Sequence, residues 1–308
     1  MARLSEEQYH VPVMLTECMD LLSIRCGYTY ADATLGGGGH SAEILKRIEE
    51  QCARSTDQTG LLISTDADEV AIAKCTSRFA EYLDVQPPLF KIVHANFSEL
   101  PSVLEGHILG GVLFDLGVSS FQFDHHERGF SFRANAPLDM RFTPTGKNAA
   151  DIVNTYSEAE LTDIFYRYAE DPSSRRIAKV IVQSRNLSPI YTTFDLRELV
   201  VQVVPTQHQS KTMARIFQAL RIEVNNELQR LESTLHRMIQ MLAPTGRIVV
   251  MSYHSLEDGI VKNVFKEYSD ASSKVVSLLT KKPITPSANE VSQNPRSRSA
   301  RLRAIERL

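Results

Sequence analysis

The sequence predicts an α/β protein whose sheet is interrupted, part-way along the chain, by a mainly helical insert. Three observations carry that expectation. Short apolar runs of β type alternate with helical patterns up to about residue 115. The alternation then stops for some 90 residues. A further strand–helix unit follows a long amphipathic stretch.

Residues 28–32 read as the first strand, followed by a glycine turn and a helix over 41–54. A second strand over 61–65 ends on Asp66, with a helix over 68–82, and a third strand covers 90–94. The fourth, 111–114, ends on Asp115. From 121 to 211 the pattern is a polar, arginine-containing loop and then helices, punctuated by Pro137, Pro144, Pro172, Pro189 and Pro205. Apolar residues from Met213 to Leu242 recur at three- and four-residue steps, which predicts one long helix, kinked or straight, ending at Pro244 and Gly246. Residues 247–251 form a fifth strand and 256–268 a helix, and 274–279 with 299–307 a final strand pair. The expected domains are therefore a discontinuous one, 1–120 with 212–308, and an insert, 121–211. The break falls at the C-terminal edge of the sheet, where open α/β folds bind ligands, so an insert there can wall or cover a substrate.

A chain of 308 residues that is 43% hydrophobic can bury a full core. It has no run of about 18 apolar residues to span a membrane and no apolar signal-peptide core near Met1, so a cytoplasmic location is expected. Cys18, Cys26, Cys52 and Cys75 have no metal-ligand spacing and read as free thiols of a reducing compartment. Net charge is −3, but from Lys281 onward seven basic residues face two acidic ones, a local +5 on a body of −8. Such a basic tail is either solvated or a contact for phosphates.

Consecutive glycines after a strand let a backbone approach a ligand closely, and the following helix aims free N–H groups at it. In Gly36-Gly37-Gly38-Gly39-His40, Gly36 and Gly38 fit the first two positions of a dinucleotide G-x-G-x-x-G, but the third falls on Ser41. No GxxxxGK[ST] loop provides for a nucleoside triphosphate. Asp66, at a strand end, suits both hydroxyls of a ribose, although Asp66 or Asp68 can equally cap the next helix. With Phe97 after the third strand and Asp115 after the fourth, the set suits an adenosine without phosphates. S-adenosylmethionine fits it better than NAD or ATP.

Longer blocks carry a specific resemblance. Residues 10–14 (HVPVM), 32–41 (DATLGGGGHS), 115–120 (DLGVSS), 127–132 (ERGFSF), 137–141 (PLDMR), 217–222 (FQALRI), 252–258 (SYHSLED) and 294–299 (NPRSRS) resemble the RsmH (MraW) family, in the family's order. The resemblance implies a class I S-adenosylmethionine-dependent methyltransferase fold, Rossmann-like, with an inserted helical domain. It implies methylation of the exocyclic N4 of one cytidine in the decoding region of 16S rRNA in the small ribosomal subunit. The family's cofactor positions fall on Gly38, Gly39, His40, Asp66, Phe97, Asp115 and Gln122. Phe121 stands where the family usually has proline, Tyr253 where phenylalanine is common and Gly259 where arginine is frequent; none removes a group the chemistry requires.

The cytosine amino group is a poor nucleophile, so catalysis needs alignment, acceptors for its two protons and a route for losing one. Asp115 is expected to bind cofactor or assist the nitrogen, and His254 to touch the base or relay a proton, with a structural role, the commoner one for a lone histidine in such a turn, as the alternative. Asp139, Arg141, Asn225 and Ser252 are candidates for the substrate pocket, with a loop-pinning ion pair as the alternative for Asp139 and Arg141. Arg167, Arg175, Arg176, Lys179 and Arg185 are candidate phosphate contacts. The run from Asp124 to Glu127 suggests a metal, but neighbouring side chains diverge and no third ligand has helical spacing, so none is expected. The target base must leave its stack, which favours a splayed RNA site. Methylation of DNA or protein, or a non-catalytic role in ribosome assembly, remains the alternative, and either monomer or homodimer is compatible.

Overall fold

The computed structural model describes residues 12–53, 59–117, 128–143, 145–270 and 274–308. It consists of two compact units, Met1–Ser119 with Gln229–Leu308, and Ser120–Leu228.

In the first unit, α1 (Leu15–Leu22) precedes β1 (Thr29–Asp32), α2 (Gly39–Cys52), β2 (Leu61–Asp66), α3 (Glu69–Arg78), α4 (Ala80–Leu83), β3 (Phe90–His94), α5 (Leu100–Val103) and β4 (Leu109–Asp115). The seven strands lie in the order β3-β2-β1-β4-β5-β7-β6, the order of the class I methyltransferase fold. β1 to β5 are parallel, whereas β7 runs antiparallel between β5 and β6. The sheet is therefore mixed rather than wholly parallel. Both faces are covered, and the strands divide their side chains by alternation. Leu62, Leu113, Val249 and Met251 pack on one side with Ile44, Leu45 and Ile48 of α2. Ile63, Val112, Phe114, Ile248 and Val250 pack on the other with residues of the helices that precede and follow β5.

The second unit contains α6 (Ala149–Thr155), α7 (Glu158–Ile164), α8 (Ser174–Arg185), α9 (Thr193–Val203) and α10 (Thr206–Asn225). Asn148, Ser157 and Thr192 start α6, α7 and α9 as capping boxes, each paired with an acid three residues on. The single long helix expected from Met213 to Leu242 is two. Asn226 adopts a left-handed conformation with φ 50° and separates α10 from α11 (Glu227–Met241), the role asparagine tolerates better than most residues. Arg221 donates twice to Glu227 across the break, at 2.8 and 2.9 Å. The boundary between the units consequently falls after Leu228 instead of at 211–212, and α10 belongs with the insert.

Back in the first unit, α11 leads to β5 (Leu242–Ser252), α12 (Ser255–Ser269), β6 (Val276–Leu278), α13 (Ala288–Gln293) and β7 (Arg301–Arg307). Two expectations need correction here. Cys26 and Cys52 form a disulfide, with Cα atoms 5.0 Å apart, while Cys18 and Cys75 are free and buried. α2 runs back along the sheet, so its last residue returns to the loop before β1, a proximity that sequence spacing does not reveal. The basic tail is also not a tail. Arg301, Arg303 and Arg307 belong to β7, with Arg303 and Arg301 on Asp258 and Arg307 on the carbonyls of Ile239 and Gln240. No described helix is long and apolar enough to cross a membrane.

Candidate active site

The C-terminal ends of β1, β2 and β4 bring three carboxylates to one edge of the sheet. Asp66, at the end of β2, accepts from the Gly36 N–H at 2.8 Å and from the Asp68 N–H at 2.9 Å. Asp68 separately caps α3 by accepting from the Val70 N–H. The two roles left open between these aspartates are thus divided, and Asp66 is the one tied to the glycine turn. A carboxylate has about four acceptor sites, so each Asp66 oxygen keeps capacity for a ligand hydroxyl.

Asp32 ends β1 and accepts from the Thr34 N–H at 3.1 Å and the Ser41 hydroxyl at 2.6 Å. Ser41 also lies 2.9 Å from the Ser64 hydroxyl. The serine found where a dinucleotide fold would have glycine is therefore a buried pin between the ends of β1 and β2. Thr34 accepts the Asp115 N–H at 2.8 Å and ties the same turn to β4.

Gly36 and Gly38 have φ of 50° and 74°, which favours glycine. A Cβ on Gly38 would lie 2.6 Å from the Phe79 ring, and one on Gly39 2.4 Å from the Pro12 ring. At these two positions glycine is required by close packing of the turn on the protein itself. His40, in the first turn of α2, is 6% exposed. Its Nε2 lies 3.1 Å from the Val13 carbonyl, which only accepts, so Nε2 carries the proton and Nδ1 faces Asp115 Oδ2 at 3.6 Å. The other oxygen of Asp115 accepts from the Tyr253 hydroxyl at 2.8 Å.

The electrostatics of this edge are out of balance. Burial pushes Asp66 and Asp115 up to about 6, opposed by the N–H groups on Asp66 and by His40 and Tyr253 beside Asp115. Burial also raises Asp32, and its charge raises both neighbours. Three carboxylates gathered at one sheet edge, two of them raised further by the third, suit a cationic ligand. S-adenosylmethionine carries a sulfonium and an ammonium, and the donor set fits it: free acceptor capacity on Asp66, unsatisfied negative charge, and the N-terminal turn of α2 alongside. The resident acids would resist the phosphates of NAD or ATP.

A model of the MraW methylase family matches residues 7–308. The chain belongs to that family. Proteins from Carboxydothermus hydrogenoformans and Halothermothrix orenii are each 42% identical to it over 97% of this chain and 98% of their own. One from Bacteroides fragilis is 42% identical over 98% of both. All three are named ribosomal RNA small subunit methyltransferase H.

Of the family's cofactor positions, Gly38, Gly39, His40, Asp66 and Asp115 gather around the glycine turn. Phe97 opens a short 3₁₀ turn capped by Asn96, and its ring meets Phe114 edge-on at 6.4 Å. Gln122, its neighbour Phe121 and the run from Asp124 to Glu127 lie outside the described residues. His254 and Ser252 have other work than the expected chemistry. His254 caps α12, its Nδ1 accepting from the Glu257 N–H at 3.4 Å, and its buried Nε2 faces Glu257 Oε1 at 2.9 Å without hydrogen-bond alignment. Ser252 is 1% exposed and its hydroxyl turns to the Arg301 carbonyl on β7.

In the insert, Asp139, Arg141 and Asn225 do come together, as a clamp on one loop. Arg141 donates to both oxygens of Asp139 at 2.8 Å, and Met140 between them has φ 62°. Asn225 accepts the Phe142 N–H at 2.8 Å and donates to the carbonyls of Met140 and Arg221 at 2.8 and 2.9 Å. Gly129 closes the loop; a Cβ there would lie 2.2 Å from the Pro137 carbonyl. Among the candidate phosphate contacts, Arg167 is paired with Asp163, Arg185 is committed to the Val153 carbonyl, and Arg175, Arg176 and Lys179 are exposed along α8. The residue most clearly missed by sequence reasoning is Tyr253, noted only as a departure from phenylalanine. Its signal was the hydroxyl itself, next to a strand end.

Proposed function

We propose that this chain transfers a methyl group from S-adenosylmethionine to the exocyclic N4 of a specific cytidine in 16S rRNA of the small ribosomal subunit. Membership of the family and the names of its relatives support the rRNA substrate. The observation that carries the cofactor reading is Asp66, held by the Gly36 N–H with one acceptor site spare on each oxygen. When bound, S-adenosylmethionine supplies an electrophilic methyl.

Asp66 binds the ribose hydroxyls, Phe97 offers an apolar surface to the adenine, and Gly38, Gly39 and His40 form the wall beside the methionine part. Gln122 completes the set by resemblance. Asp115 is the catalytic residue of this reading. Tyr253 fixes one oxygen, and the other, next to His40, holds a proton or accepts one from the amino group. A group with a pKa of about 6 is ionised at neutral pH yet basic enough to take part. His254 and Ser252 support this edge structurally, by capping α12 and joining β5 to β7. The clamp of Asp139, Arg141 and Asn225 shapes the insert as a substrate-recognition domain, with Arg175, Arg176 and Lys179 available to phosphates. A ribosomal substrate supports a cytoplasmic location.

The test is mass mapping of rRNA modifications after reaction of the purified protein with labelled S-adenosylmethionine and small subunits from cells lacking it. One N4-methylated cytidine is expected. Label on protein or DNA, or none on RNA, contradicts the reading.

A further inference from the structure

Away from the carboxylate edge, the first unit has a second concentration of charge, of the opposite sign. Asp258, Lys262 and Lys266 stand four residues apart along α12 and share one face of the helix. Asp258 is the acid of that row, and it is already committed. Arg303 Nε lies 2.6 Å from its Oδ1, while Arg303 Nη2 and Arg301 Nη1 each lie 3.2 Å from Oδ2. These arginines hold the Asp258 carboxyl below its usual range. Lys262 and Lys266 are both exposed, and among the described residues neither has an acidic partner.

Opposite this row, the segment after β6 brings in Lys281, also exposed and without an acidic partner among the described residues. The three lysines and Arg303 line a cavity of about 170 Å³ floored by Phe265 and Leu278. Thr280 accepts the Ala304 N–H at 2.9 Å, which holds the start of the lysine-bearing segment on the sheet. Like charges four residues apart on a helix repel, and a third brought across to them adds to the cost. In a chain of net charge −3 such convergence is not a by-product of a basic composition. Register places the cavity beside the middle of β5, since Arg303 pairs with Val250 and Leu278 with Ile305, which pairs with Ile248. Ile284 beyond it bridges Leu302, which pairs with Met251 just before the end of β5. β6 lies three strand spacings from β4 and Asp115, about 15 Å.

We propose that the cavity bounded by Lys262, Lys266, Lys281 and Arg303 is a phosphodiester-binding subsite, which holds the substrate RNA backbone away from the target base. The inference rests on the reading of the protein as an RNA methyltransferase. Phosphates are held by cations without base specificity, and their contribution is strongly salt-dependent.

The test compares wild type with a triple variant, Lys262→Gln, Lys266→Gln and Lys281→Gln, on unmodified small ribosomal subunits. Filter retention of the subunits is measured across a salt series beside the kinetics. The expected result is a roughly tenfold higher KM, with a logarithmic salt slope shallower by about two, the value for three cations leaving a single strand. The maximal rate and the affinity for S-adenosylmethionine should be unchanged. Triple replacement by arginine should retain the wild-type slope, and Lys91→Gln on β3, at the opposite edge of the sheet, should change nothing. Should the triple variant melt early, Lys281→Glu alone must still weaken retention and flatten the slope. Wild-type KM and slope in the glutamine variant overturn the proposal. Failure of the wild type to methylate RNA would overturn the functional reading, and the retention slopes would still decide the subsite.

Discussion

The aspartates of the sheet edge and those of the insert are the same residue in opposite conditions. Asp32, Asp66 and Asp115 are all held above the ordinary carboxylate range by burial, and the charge of Asp32 adds to the rise of the other two. Asp139 is held below that range by Arg141, and Asp195 by the N–H groups of Thr192 and Tyr191. Those two acids of the insert come with their partners, so the polar groups around them define a loop or start a helix. At the sheet edge, among the described residues, the three acids face no lysine or arginine and only His40 stands beside Asp115, so much of the counter-charge is left to the ligand. Imbalance marks the reaction site and balance marks the scaffold.

The contrast predicts different failures in the two regions. Asp66→Ala should lower kcat/KM by roughly 100-fold or more, since it removes charge-assisted bonds to the ribose worth about 1.5–3 kcal/mol each. Circular dichroism should report an unchanged fold. Asp115→Asn should cost activity while stabilising the ligand-free protein. An acid raised from 3.8 to about 6 on folding contributes stability fully below pH 4 and loses it as pH rises through 6. At pH 8 the asparagine variant should therefore be more stable by about 1–3 kcal/mol in urea titration, an advantage that vanishes near pH 4. Asn225→Ala should do the reverse. It leaves the Phe142 N–H and the Met140 carbonyl unanswered, costing about 2–3 kcal/mol, with S-adenosylmethionine affinity intact by calorimetry. The smallest effect is expected from Tyr253→Phe. The lost hydroxyl had lowered the Asp115 pKa, so the acid limb of the rate profile should move up by less than about one pH unit.

Much of the fold was legible because a sheet buried on both faces leaves compact apolar runs between helical patterns; the strands ending on Asp66 and Asp115 are examples. The break at Asn226 was not, since the apolar spacing from Met213 to Leu242 continues in register across it. The Cys26–Cys52 bond and the Arg303–Asp258 pair were hidden for another reason. Both join segments that only the chain's return along the sheet makes adjacent. At the site, Asp66 and the glycine turn were readable from their places after strands. The division of labour between Asp66 and Asp68 needed hydrogen bonds, and so did the structural roles of His254 and Ser252. Asp139, Arg141 and Asn225 were grouped by motif as candidates for a substrate pocket, with a loop-pinning pair as the alternative for the first two, and geometry adds Asn225 to that pair as a clamp.

The claim that the sheet-edge carboxylates await a cationic donor is tested most directly by calorimetric titration of S-adenosylmethionine between pH 5 and pH 8. Affinity should rise by about tenfold or more as Asp66 and Asp115 ionise near pH 6, and the rise should shrink in Asp115→Asn. Affinity that is flat across this range, or a rise undiminished in the variant, would contradict the account.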